Sequence, residues 1–187
     1  WSRLVGSEMC IRDRYFITVK NSFKNKKIYS ELRLASFYET ILNRGYPRPP
    51  YYENAFDDYY RTYRNNISIK LNKNEESNSL SFLSSFNHYK RRKNTYFNDL
   101  TTLNKTLTET SGDQDTIVFT KFNNRISFQS NFKNIFNYKL GLNISTETSE
   151  GERICGKDKI ISEFAIFSFL EYKRNFLHFR PAIRFTY

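Results

Sequence analysis

What the chain lacks sets the first limits. Its 187 residues include only two Cys, one Met, one Trp, four Pro and six Gly. No window offers the roughly 18 consecutive apolar residues that a transmembrane helix needs, which excludes a protein with several helical spans. Mean hydropathy is low, at −0.70. Outside the first fourteen residues Cys155 stands alone, so it supplies neither a disulfide nor a Cys cluster and reads as an inert loop thiol. His88 and His178 have no carboxylate or cysteine at ligand spacing. No Gly-rich phosphate cradle occurs. Carboxylates do cluster at Asp57-Asp58, Asp113/Asp115 and Glu147/Glu150/Glu152, but in polar loops such groups are usually solvated, with calcium or substrate contact the sharper alternative. The expectation is a protein that is not an enzyme, with no catalytic residue, metal site or cofactor.

Aromatic and basic residues are what the chain has in excess. With 14 Tyr, 18 Phe and one Trp, aromatics reach 18%, too many for a disordered chain. Thirty Lys and Arg against 19 Asp and Glu give a net charge of +11. Abundant Asn, Lys, Ile, Phe and Tyr beside scarce Ala and Gly match coding from an AT-rich genome, so part of the lysine excess reflects codon usage.

The N-terminus differs from the rest. Trp1, Met9 and Cys10 all fall within residues 1–14, and Val5 to Asp13 has no periodicity. Written back into codons, this stretch resembles a transposase sequencing adapter, so residues 1–14 are set apart from fold reasoning as non-native. Such an origin predicts that the gene is truncated upstream, and the net charge without this segment is +10.

From Tyr15 onward the dominant pattern is strict alternation, the mark of strands with one apolar face. In 135–147, Phe136, Tyr138, Leu140, Leu142 and Ile144 alternate with Asn137, Lys139, Gly141, Asn143 and Ser145. The same holds at 61–73, 117–130 and 176–187, and more weakly at 15–23, 27–42, 79–92 and 160–172. Short polar turns (24–26, 73–77, 131–133, 173–175) alternate with long polar loops (about 44–60, 93–116 and 147–159). The fold class is therefore all-β: an antiparallel meander of about eight long strands with no helix. Long alternating strands, tight turns at one end and long loops at the other describe a segment of a transmembrane β-barrel over residues 15–187. In a bilayer a closed barrel alone pairs every strand backbone group, with one face on lipid and the other on water or a plug. Tyr29, Tyr38, Tyr63, Tyr89, Tyr138 and Tyr172 are candidates for the interfacial girdles.

Short phrases add a resemblance. Arg44 to Tyr60 (RGYPRPPYYENAFDDYY), Lys93 to Leu100, Ser149 to Ile154, Ile160 to Lys173 and Phe179 to Phe185 resemble TonB-dependent outer-membrane receptors of Bacteroidetes type. The resemblance implies an energy-coupled importer in the outer membrane of a Gram-negative cell, a plugged barrel of the 22-strand size class. Its substrate would be large and scarce: a siderophore, a cobalamin-like compound, a glycan or a peptide. The chain shows no TonB box and no plug, so the resemblance implies an internal barrel segment. Its partners would be the bilayer with its lipopolysaccharide, the missing plug and remaining strands, and the TonB complex through the missing N-terminal region. Candidate substrate contacts in the external loops are Tyr46, Tyr51, Tyr52, Asp57, Asp58, Tyr96 and Asp99.

Two other readings stay open. A complete eight-stranded barrel with a structural or adhesion role is closable in principle, and the chain ends on an alternating strand with a terminal aromatic. A soluble basic sheet that binds nucleic acid is the other, from Lys90-Arg91-Arg92-Lys93 and interleaved aromatics. The basic residues are spread through turns and one strand face rather than gathered in a patch, so no nucleic-acid partner is expected. The 90–93 run sits where a strand leaves the membrane, and inward cations such as Lys70, Lys121, Arg125, Lys139, Arg180 and Arg184 would favour anionic traffic or pair with a plug.

Overall fold

A computed structural model of the chain describes residues 10–110, 112–132, 135–151, 158–174 and 176–187. All regular structure among them is β: β1 (Cys10–Lys24), β2 (Ile28–Asn43), β3 (Asn54–Asn74), β4 (Asn78–Asp99), β5 (Lys105–Leu107), β6 (Gln114–Phe132), β7 (Phe136–Gly151), β8 (Lys159–Arg174), β9 (Leu177–Phe179) and β10 (Ala182–Thr186). They form one open antiparallel sheet in the order β1-β2-β3-β4-β6-β7-β8-β10, with β5 on β4 and β9 on β8.

The ten strands reduce to the expected meander of about eight. Expected as one strand over 176–187, β9 and β10 are interrupted at Arg180-Pro181, yet the register runs straight through. Phe179 faces Tyr172, Ala182 faces Phe169, and the Leu170 N–H donates to the Pro181 carbonyl at 3.1 Å. Pro181 lacks the N–H that would return this bond, which breaks the ladder without shifting it. The short β5 takes up the edge of β4 above the last β6 partner, pairing Leu107 with Tyr96.

Two boundaries differ from the sequence reading. β1 continues past Tyr15 to Cys10, with Arg14 opposite Glu39, so residues 10–14 pair although they carry no alternation signal. Ladder bonds use the backbone and tolerate any non-proline side chain at a sheet edge. Residues 1–9 of that segment, like Glu152, Cys155 and the turn positions Lys133 and Asn175, lie outside the described residues. The loops at 44–60 and 93–116 are also shorter than expected, because β3 and β4 run to 21 and 22 residues. A tilted strand needs only about 9–11 residues to cross a bilayer, so both extend well beyond such a span at the end carrying the long connections.

Cross-strand register sorts the side chains into two faces. One row runs Leu34–Ile67–Phe86–Phe122 and another Ile126–Leu142–Ile166–Phe185, while Lys121, Asn123, Arg125, Asn143 and Glu147 lie on the opposite face. Of the girdle candidates, Tyr38, Tyr63, Tyr138 and Tyr172 lie on the apolar face. Tyr29 and Tyr89 are corrected to the polar face, opposite Asn72 and Arg64. Their positions have the wrong parity, and parity alone decides the face.

The sheet has no core of its own. Among the described residues the only buried hydrophobic ones are Ala55 and Ala165, while Ile67, Phe122, Ile126, Leu142 and Ile144 are all exposed. The accessible surface is 14344 Å². A compact monomer of this mass exposes about 9,500 Å².

Candidate functional site

Two surfaces carry polar chemistry: the end with the long connections, and the polar face. At that end, residues 44–53 join β2 to β3. Arg48 N–H donates to the Asn54 carbonyl at 2.8 Å and Tyr52 N–H to the Arg48 carbonyl at 3.0 Å, closing a tight tip. The Arg48 guanidinium lies over the Phe56 ring at 4.1 Å, fixing the base of the tip. Tyr46, Tyr51 and Tyr52 stand out from it, 63%, 79% and 62% exposed. Tyr52 has φ 59°, a left-handed conformation that a bulky residue rarely adopts.

The four remaining candidates are in strands, not loops, and the carboxylates of the three acids among them are engaged within the fold. Asp57 on β3 is 2% exposed; its carboxylate accepts from the Lys105 ammonium at 2.9 Å and from the Gly45 N–H at 3.3 Å. That bond to Asp57 holds the Lys105 pKa above its ordinary value. Asp58, one residue on and facing the other way, accepts from Thr95 Oγ1 at 2.6 Å and pairs with Lys93 at 3.5 Å. Tyr96 on β4 packs edge-on against Tyr59, with centroids 5.2 Å apart. Asp99, at the end of β4, accepts from Thr101 Oγ1 at 2.6 Å, from Thr101 N–H at 2.9 Å and from Thr102 N–H at 3.2 Å. The bond from the Thr101 hydroxyl, followed by those from Thr102 and the backbone, holds its carboxyl far below the usual carboxylate range. The structure therefore leaves Tyr46, Tyr51 and Tyr52 exposed on one connection and commits Asp57, Asp58 and Asp99 to holding the strand ends and turns.

The polar face carries many cations, and carboxylates lie beside several of them. Lys121 pairs with Glu147 at 3.0 Å, Arg184 with Glu163 at 2.8 Å, Arg180 with Glu171 at 2.7 Å and Arg14 with Glu39 at 2.9 Å. Glu171 also meets His178 at 2.8 Å. Arg125 instead lies over the Phe167 ring at 4.7 Å. Lys121, Asn123, Arg125, Ser145, Glu163 and Arg184 line a hollow of about 500 Å³. Pairing lowers the anion preference expected of these cations, and leaves a mixed, water-compatible wall that can hydrogen-bond a polar partner laid across it. The sequence reading missed these pairs. Alternation places residues on a face, but strand register decides which of them meet.

Compared with known proteins, the chain matches no family model and no curated protein.

Proposed function

We propose that this sheet is a sector of the β-barrel of an outer-membrane TonB-dependent receptor, with its apolar face on lipid and its polar face toward the lumen and a plug. The observation that carries the reading is an apolar face that nothing in the fold covers. The rows Leu34–Ile67–Phe86–Phe122 and Ile126–Leu142–Ile166–Phe185 lie on that face and are all exposed, and toward the long-connection end the same face turns charged at Arg61, Lys90 and Arg92. Strands of membrane barrels carry such an outward apolar band, with aromatic residues at its rims and polar side chains on the other face.

The long-connection end is then external. Tyr46, Tyr51 and Tyr52 are its substrate-contacting group, and the left-handed Tyr52 supports that role, since such strain (~1–3 kcal/mol) persists where surrounding structure enforces it, often at binding sites. The substrate is a large scarce compound, and its import requires the plug and the TonB complex as partners. The sheet's open edges at β1 and β10 support a place within a wider barrel.

The test is to express the chain with a periplasmic export signal in a Gram-negative host and to crosslink engineered cysteines on β1 and β10, with Cys10 and Cys155 replaced. Recovery in the outer-membrane fraction with β1 and β10 uncrosslinked supports the reading. Efficient β1–β10 crosslinking points instead to a small closed barrel, and a stable water-soluble monomer overturns both.

A further inference from the structure

One cluster of cations lies on the wrong face for a lumen. Arg61 on β3 and Arg92 on β4 are direct cross-strand partners, and Lys90 sits one row below, opposite Tyr63. Like charges opposed across a ladder repel, so this arrangement is unfavourable unless something anionic joins it. With Asn65 and His88 they line a hollow of about 380 Å³. Among the described residues none of the three cations has a carboxylate within ion-pair distance, in contrast to Lys121, Arg180 and Arg184 on the polar face. Carboxylates of the same face do not reach them. Asp57 is bonded to Lys105, Asp13 lies two strands from Arg61 across Thr40, and Glu150 lies two strands from Lys90 across Val118.

The position is as informative as the charge. Lys90 continues the aromatic row Tyr15–Tyr38–Tyr63, whose neighbouring ring centroids are 6.1 and 4.8 Å apart, Arg61 and Arg92 stand one row above it, and below it the outward side chains turn apolar at Ile67 and Phe86. Resting on the membrane reading above, this is the outer rim of the bilayer, where aromatic rings mark the head-group level, Arg forks onto phosphate oxygens and Lys meets them as a point charge. The geometry points to Arg61, Lys90 and Arg92 as a site for the phosphates of an outer-leaflet glycolipid, with the Tyr15–Tyr38–Tyr63 row packing against the start of its acyl chains. Three cations around one hollow suit a headgroup carrying more than one phosphate, and the outward orientation keeps the site out of the transport path.

The probe is bis-phosphorylated lipid A, added to the full chain refolded in zwitterionic detergent and read by native mass spectrometry. The wild-type chain should retain lipid A, and the R61Q/K90Q/R92Q variant should bind it roughly a hundredfold more weakly, at about fivefold per cation. The conservative R61K/R92K variant should keep most of the binding, and K121Q/R125Q on the polar face should match wild type. Equal retention by the triple variant overturns the site, as does equal competition by phosphatidylglycerol. Vesicle insertion, followed in parallel by protease protection, separates the two claims: insertion with unaltered lipid A binding in the triple variant defeats the site alone, while failure to insert defeats the membrane reading beneath it.

Discussion

Gly141 shows how a single position fixes a contact across the polar face. It faces Phe167 across β7 and β8, and a Cβ built on it would lie 2.1 Å from the ring. The ring covers the glycine and is capped in turn by the Arg125 guanidinium. Replacing Gly141 with Ala must push the ring aside and off the Arg125 guanidinium, a contact worth about 0.5–1 kcal/mol at an exposed site. Urea unfolding of the refolded chain should show a loss of that size in G141A and in R125Q; an unchanged midpoint for both would refute the contact. Asp99 offers a pH prediction. Its carboxyl is depressed in the folded chain, so its support for the 100–104 turn is complete above the ordinary aspartate value of about 3.9 and fades as pH falls through the lower folded value. Exchange protection of the Thr101 and Thr102 amides should hold from neutral pH down to about 4 and weaken only below that. Loss of protection already near pH 5 would contradict the assignment. Neither contact is legible in the sequence, because Gly141 reads as one more small residue in an alternating strand and Asp99 as one more loop acid.

Strands were the most legible scale. Alternation placed Phe136 to Ile144 and Leu177 to Tyr187 on the correct face, because burial against a single surface enforces a period of two over each strand. Their ends were less legible. Beyond the apolar band nothing demands an apolar alternate, so Asp57, Asp58, Tyr96 and Asp99 resemble loop residues while they sit in β3 and β4. Register was not legible. A turn placed loosely at 73–77 leaves several pairings open, and only the bond pair between Glu75 and Asn78 sets Arg61 against Arg92. Pro181 gives the prediction at this scale. It occupies a hydrogen-bonded position, returning no N–H to Leu170, so P181V should restore one ladder bond, fuse β9 to β10 and stabilise the sheet by about 0.5–1.5 kcal/mol. A destabilised P181V would show that the break serves the fold.

At the scale of the whole molecule the decisive fact is an apolar face without a second layer. Sheets bury such a face against helices, another sheet or themselves, and this one does none of these among the described residues. An exposed area of that size marks a missing surface, and open strand edges add a route to aggregation. In aqueous buffer the chain should therefore aggregate at micromolar concentration, and detergent should recover a monodisperse β-rich species; a soluble, monodisperse chain without detergent would argue for a face that needs no cover.

The most direct test of lipid contact is nitroxide accessibility in phospholipid vesicles. Spin labels at Ile67, Ile126 and Ile144 should be open to oxygen and shielded from a water-soluble nickel chelate, whereas labels at the adjacent Asn66, Arg125 and Asn143 should show the reverse. Depths along the membrane normal should also cross the hydrogen-bonded rows of the tilted strands, so that Ile144 and Ile69, which share one row, lie at different depths. Equal chelate access on both faces, or depths that follow the hydrogen-bonded rows, would contradict a tilted membrane barrel.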